Sequence, residues 1–121
     1  MIGIDLLEVE RINDSVEFLN KIAHVEEIEY INKNTCQHLR KQKIAALFCV
    51  KEAVMKALGL GKGSGVVFKD IMLCHEESGK PYVKLFGKAQ EKMVDSFKGK
   101  RIEISLSHTK AYATAIAIIV D

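Results

Sequence analysis

One long segment constrains this chain more than any other. From the stretch "NKNT" to Gly59 the residues keep helical spacing without a break, with Thr35 placed to cap the start and Gly59 to stop it. At about 100° per residue, Ile44, Leu47, Phe48, Val54, Met55 and Leu58 form one broad apolar stripe. Ala45, Cys49 and Ala53 fall on the opposite side, so the helix is apolar nearly all round. Such a helix must be buried, by its own domain or by a neighbouring subunit. A chain of 121 residues is one domain by length and can bury a core without covalent staples.

Three charges interrupt this apolar surface: Lys51, Glu52 and Lys56. An ordinary i,i+4 pair between Glu52 and Lys56 contributes only about 0.2–0.5 kcal/mol. Placing each ion in a desolvated setting costs several kcal/mol, on the order of ten times more. A metal ion or phosphate nearby would offset that cost. The segment after the helix, "GLGKGSG", holds Gly59, Gly61 and Lys62 in a backbone-rich loop able to wrap a phosphate. It is neither a Walker loop nor a dinucleotide fingerprint, because the helix precedes the glycines and the required third glycine is missing.

The rest of the chain alternates short elements. "MIGID" reads as a strand with Ile2 and Ile4 on one face and Asp5 at its end, after which "LLEVERI" shifts to helical spacing. "VEEIEYI" reads as a short helix, and "VVFKDIMLCHEESGKPYVKLF" as two strands around a turn at "EESGKP". "GKAQEKMVDSF" is an amphipathic helix. "RIEISLSH" and "AYATAIAIIV" are two strands joined by a tight link. In the first of them Ile102, Ile104, Leu106 and His108 share a face, with Ser105 and Ser107 on the other. In the second, Ala111, Ala113, Ala115 and Ala117 form an all-small face, suited to a helix packed unusually close. Strands mixed with helices and mostly joined by hairpins predict an α+β domain with a mainly antiparallel sheet packed on one long buried helix.

Charge and composition narrow the function. Residues 1–32 carry eight acidic side chains against Arg11 and Lys21, whereas residues 33–62 carry seven basic side chains against Glu52 alone. A basic middle suits an anionic partner or ligand, and equally a solvated face. With no tryptophan and 7% aromatic residues there is no stacking platform for single-stranded nucleic acid. The start has no basic segment of the signal-peptide kind, and no apolar run is long enough to span a bilayer. Three widely spaced cysteines, an odd number without a CxxC pair, point to a reducing compartment. A soluble, cytoplasmic protein is expected. Asp5 reads from the residues alone as a helix cap, or with Glu52 as one of two hard oxygen ligands for Mg²⁺ beside a phosphate. His108, at the end of its strand, reads as a turn histidine, a phosphate ligand or a proton relay.

Three blocks in this order, "GIDLLEVERI", "FCVKEAVMKALGLGKG" and "SLSHTKAYATA", with the "SGKPYV" hairpin, resemble the small bacterial holo-acyl-carrier-protein synthase class of 4′-phosphopantetheinyl transferases. The resemblance spans residues 1–121 as a single transferase domain. It implies transfer of 4′-phosphopantetheine from coenzyme A to a serine of apo-acyl carrier protein, with release of 3′,5′-ADP. It further implies Mg²⁺ on Asp5 and Glu52, with Glu52 or His108 as the proton acceptor. Coenzyme A contacts would fall to Phe48, Lys56, Gly59, Gly61, Lys62, Lys80, Pro81, Ser107 and His108, and carrier docking to Arg11 and Lys21. A homotrimer with the site between subunits is implied too, His108 then coming from a different chain than Asp5 and Glu52. Two departures stand out. Leu47 occupies a position where some relatives have arginine, and the docking segment is acidic here, with Glu8, Glu10, Asp14 and Glu17. The rival reading from the residues is a non-catalytic oligomeric module that binds an acidic protein.

Overall fold

The structure, a computed structural model, describes residues 1–33, 36–61 and 63–121. Five strands and four α-helices follow in the order β1 (Ile2–Glu8), α1 (Val16–Ile22), α2 (Val25–Asn32), α3 (Gln37–Leu58), β2 (Ile71–His75), β3 (Pro81–Leu85), α4 (Gly87–Ser96), β4 (Arg101–His108) and β5 (Tyr112–Val120). Short 3₁₀ turns occupy Val9–Arg11 and Phe68–Asp70. The expected α+β architecture holds, with all strand pairing antiparallel. Among the described residues there are two sheets, however, not one: a three-stranded sheet in the order β1-β5-β4 and a separate β2-β3 hairpin.

Helix α3 lies across the inner face of the larger sheet. Ala113, Ala115 and Ala117 of β5 are almost fully buried against it, as are Ala45, Cys49 and Ala53 on the helix. Small side chains on both surfaces allow the backbones to approach closely, and Gly3 on β1 completes the contact. A Cβ built on Gly3 would lie 2.0 Å from the Ala53 carbonyl oxygen. Gly59 ends α3 with φ of 73°, a left-handed cap whose N–H donates back to the last turn. The expected N-cap, Thr35, lies outside the described residues.

Four expectations need correction. The first strand does not end at Asp5. It runs to Glu8, because Gly3, Asp5, Leu7 and Val9 keep period two toward α3, and β5 is long enough to pair with every residue from Ile2 to Glu8. Only Val9–Arg11 of "LLEVERI" turns helically. Second, α1 had no counterpart in the sequence reading, although Ser15 caps it by accepting a hydrogen bond from the Phe18 N–H at 3.1 Å. Third, the segment leading into β2 is a 3₁₀ turn and not strand, since Asp70 Oδ2 accepts from the Val67 N–H and curls the chain. Fourth, of the two covers open to α3, its own domain or a neighbouring subunit, its own sheet and hairpin supply it. Exposed apolar side chains cluster on the outer face of the large sheet, where Ile2, Ile4 and Leu6 are 61–66% exposed, beside Ile116 and Ile118.

Candidate active site

The inward-facing residues of β1 and one flank of α3 bring together side chains about fifty positions apart in sequence. Asp5, paired across the sheet with Ala115, points at α3 and is anchored through its carbonyl, which accepts from Thr114 Oγ1 at 2.8 Å. Lys56 Nζ donates to the Ile4 carbonyl at 2.9 Å and to Asp5 Oδ1 at 3.2 Å. The cation therefore pairs with Asp5, not in the first instance with its helical neighbour Glu52.

Glu52 sits one turn before Lys56, half-buried. Burial, and next the Asp5 charge, push its carboxyl above the usual range, while Lys56 pulls the other way. Two carboxylates thus repel each other across a small polar site beside the half-exposed Lys56 ammonium. Cys49, about two turns before Lys56 on the sheet side, has its thiol pushed up to about 12, first by burial and then by Asp5. It is an inert wall of the site, as expected of a small core residue.

The donor set suits a hard divalent cation. One or two carboxylates, with the other octahedral positions left to water and phosphate oxygens, is the pattern magnesium favours. Among the described residues no group of three or more His, Cys, Asp or Glu could form a closed metal cage. The residues present therefore fit a cation shared with a phosphate ligand better than a dedicated structural metal.

Of the other candidates, Phe48 lies one turn before Glu52 on the same flank, its ring packed against Phe68 (5.4 Å between centroids) and Phe18 (6.2 Å). Gly59 and Gly61 follow the end of α3, both exposed; Lys62 lies outside the described residues. The remaining candidates are placed elsewhere on the chain. His108 is on the far strand of the sheet, where its Nδ1 is 2.8 Å from Gln42 Oε1, near the opposite end of α3 from Glu52. It lines a small cavity with Tyr30, Lys43, Leu47, His75 and Leu106. Ser107 is on the outer face of the same strand, beside Ile4 and Ile116. Lys80 ends the β2-β3 turn, where it makes a loose 3.9 Å pair with Glu103, and Pro81 opens β3 opposite His75. Arg11 and Lys21 are exposed on the acidic N-terminal segment.

Lys51 lies apart from this site. It is fully buried and forms an ion pair with buried Glu27 at 3.1 Å. It also donates to the Phe68 and Ile71 carbonyls, so all three ammonium protons have partners. Glu27 in turn accepts from the N–H groups of His24 and Leu73, both at 2.8 Å. Burial lowers the Lys51 pKa, and Glu27 opposes that shift. The sequence reading missed this network. Its one local signal was a glutamate three residues after His24, the spacing of a capping box.

A model of the 4′-phosphopantetheinyl transferase superfamily matches residues 1–117. The holo-[acyl-carrier-protein] synthase of Ruminiclostridium cellulolyticum is 41% identical over 124 aligned residues, covering 98% of this chain and 90% of that protein. The enzyme of the same name from Fusobacterium nucleatum is 37% identical, covering 98% and 96%. Among solved structures, the Helicobacter pylori holo-[acyl-carrier-protein] synthase in complex with coenzyme A superposes with a TM-score of 0.78 at 29% identity, covering 98% of this chain and 99% of that one. The Bacillus anthracis enzyme, in complex with CoA (3′,5′-ADP), superposes at 0.79 and 28% identity, covering 99% and 95%. The chain belongs to the 4′-phosphopantetheinyl transferase superfamily.

Proposed function

We propose that this chain is a holo-acyl-carrier-protein synthase, transferring 4′-phosphopantetheine from coenzyme A to a serine hydroxyl of apo-acyl carrier protein, with Asp5 and Glu52 holding a magnesium ion. The observation that carries the site assignment is the convergence of Asp5, Glu52 and Lys56 from β1 and α3. Full-length similarity to enzymes of that name, two of them solved with coenzyme A or its 3′,5′-ADP portion, supports the reaction. Residues 1–121 act as one domain.

The serine oxygen attacks the β-phosphorus of the diphosphate, the bond to the bridging oxygen breaks, and 3′,5′-ADP departs with the electron pair. Bound magnesium supplies Lewis-acid polarisation and charge neutralisation at the diphosphate. Lys56 neutralises a phosphate oxygen from the same side, while Asp5 fixes the ammonium in place. Glu52 takes the serine proton. Phe48, Gly59, Gly61 and Lys62 line the coenzyme side, and Arg11 and Lys21 face the carrier.

His108, Ser107, Lys80 and Pro81 complete the coenzyme site from a second copy of the chain. The exposed isoleucine and leucine face of β1 and β5 favours self-association, here as a homotrimer, and the distance along α3 between Gln42 and Glu52 leaves His108 too remote to serve its own chain's Glu52. Among the described residues no helix is long and apolar enough to cross a membrane, and the enzyme works in the cytoplasm. The test is to mix the protein with apo-carrier, coenzyme A and Mg²⁺ and weigh the carrier. A mass gain of one phosphopantetheine, lost in Asp5→Ala and Glu52→Ala, is expected; an unmodified carrier with the wild-type protein refutes the reading.

A further inference from the structure

We infer that the buried Lys51–Glu27 pair, with His24, is a positioning device for the coenzyme site: it holds the Phe68–Asp70 turn so that Phe68 fixes the ring of Phe48 beside Glu52. The inference rests on the coenzyme A reading of Phe48 given above.

Every carbonyl from Phe68 to Ile71 is held by a partner outside the turn. Lys51 Nζ takes Phe68 O at 3.1 Å and also Ile71 O. His24 Nε2 donates to Lys69 O at 2.7 Å, and Asp70 O accepts from the Phe86 N–H at 2.8 Å. A 3₁₀ turn of three residues does not need four external anchors to form. What they specify is its position relative to α3. Phe68 then packs on Phe48 at 5.4 Å between centroids, and Phe48 on Phe18 at 6.2 Å. Phe18 belongs to α1, the helix that carries Lys21, so one aromatic row links the carrier-facing helix to the flank of α3 that bears Glu52.

The choice of a charged lysine is informative. A well-packed apolar residue at 51 would bury equally well, and replacing buried ion pairs by apolar groups is often neutral for stability. An apolar side chain cannot hold two carbonyls at fixed distances. Lys51 also directly precedes Glu52, so anchoring and catalysis share one helical turn. Lys51 touches neither of the two proposed metal ligands through its ammonium, and its role is to position and not to react.

The test compares the wild type with Lys51→Met/Glu27→Gln, which removes both charges together, and with Lys51→Arg, which keeps the charge and the donors. Unfolding midpoints are measured first, and kinetics are run well below them. The expected result for the double variant is a KM for coenzyme A raised about tenfold, with the KM for carrier and kcat within about threefold of wild type. Lys51→Arg recovers most of the coenzyme affinity. Calorimetric binding of 3′,5′-ADP, a readout independent of turnover, shifts in parallel. A folded double variant with wild-type coenzyme KM overturns the inference. Should the double variant not fold, His24→Phe decides, since it keeps a ring against Phe86 and removes the donor to Lys69 O. An unchanged coenzyme KM there overturns the inference, and a rise of about threefold supports it. If the wild type itself transfers nothing from coenzyme A, it is the coenzyme reading that fails.

Discussion

Replacing Gly3 by alanine tests how closely the catalytic pair depends on the packing of β1 against α3. A Cβ at this position would meet Ala53 O at 2.0 Å, Ala57 N at 2.6 Å and Lys56 Cβ at 2.9 Å. Two of those atoms are helix backbone and cannot swing aside, so strand and helix must separate by roughly an ångström or more. Overpacking of this kind costs about 1–3 kcal/mol, and a clash with backbone belongs at the upper end. For a domain of this size about 3 kcal/mol lowers the unfolding midpoint by on the order of 10 °C. Asp5 lies two residues along the same face of the same strand, so the retreat also draws its carboxylate away from Glu52. A misplacement of about 1 Å in a positioned group can cost on the order of a hundredfold in rate. The assay pairs urea unfolding of the metal-free protein with single-turnover transfer to carrier. Gly61→Ala is the stability control, because a Cβ there meets nothing within 4 Å. A Gly3→Ala protein within about 0.5 kcal/mol of wild type, and as active, would refute the close-packing argument.

Three further outcomes follow from the same structure. Glu52→Gln removes a carboxylate whose ionised form is disfavoured by burial and Asp5, so metal-free stability at neutral pH should rise by up to about 1 kcal/mol while transfer is lost; the wild type, but not the variant, should lose stability as pH rises from the ordinary glutamate range through the raised native value. His75 has its pKa lowered from 6.5, chiefly by burial and then by Lys43. Below that value the unfolded chain binds a proton that the native state resists, so stability falls as pH drops from about 6.5, and urea midpoints for His75→Gln should lose that part of the slope. Cys49, buried with its thiol pushed up to about 12, should resist iodoacetamide in the native protein, whereas exposed Cys36 should be labelled, as read by peptide mass mapping.

Much of the architecture is visible in residue spacing because spacing reports burial. The alanine face of β5 announced a close helix, and Gly59 its end. What spacing cannot report is which partner a buried charge finds. Lys51, Glu52 and Lys56 look alike on a helical wheel, yet Lys51 meets a glutamate from α2, Lys56 an aspartate from β1, and Glu52 is left facing Asp5. Those partners lie 24 and 51 positions away. The length of β1 was misread for a related reason. Leu6, Leu7 and Val9 fit helical and strand spacing alike over so short a run, and only pairing with β5 decides between them. Ile2, Ile4 and Leu6 take the outer face, while glycine and aspartate take the inside because α3 passes too close there for larger groups. His108 shows the limit in the other direction: its strand and its face were legible, but its distance from Glu52 along α3 was not.

Manganese in place of magnesium allows the shared cation to be observed directly by electron paramagnetic resonance, with coenzyme A present throughout. The wild-type protein should remove free Mn²⁺ with an affinity at least about tenfold above that of coenzyme A alone, and Asp5→Ala and Glu52→Ala should each abolish the gain. Manganese held as tightly by both variants as by the wild type would contradict the claim that these two carboxylates grip the ion.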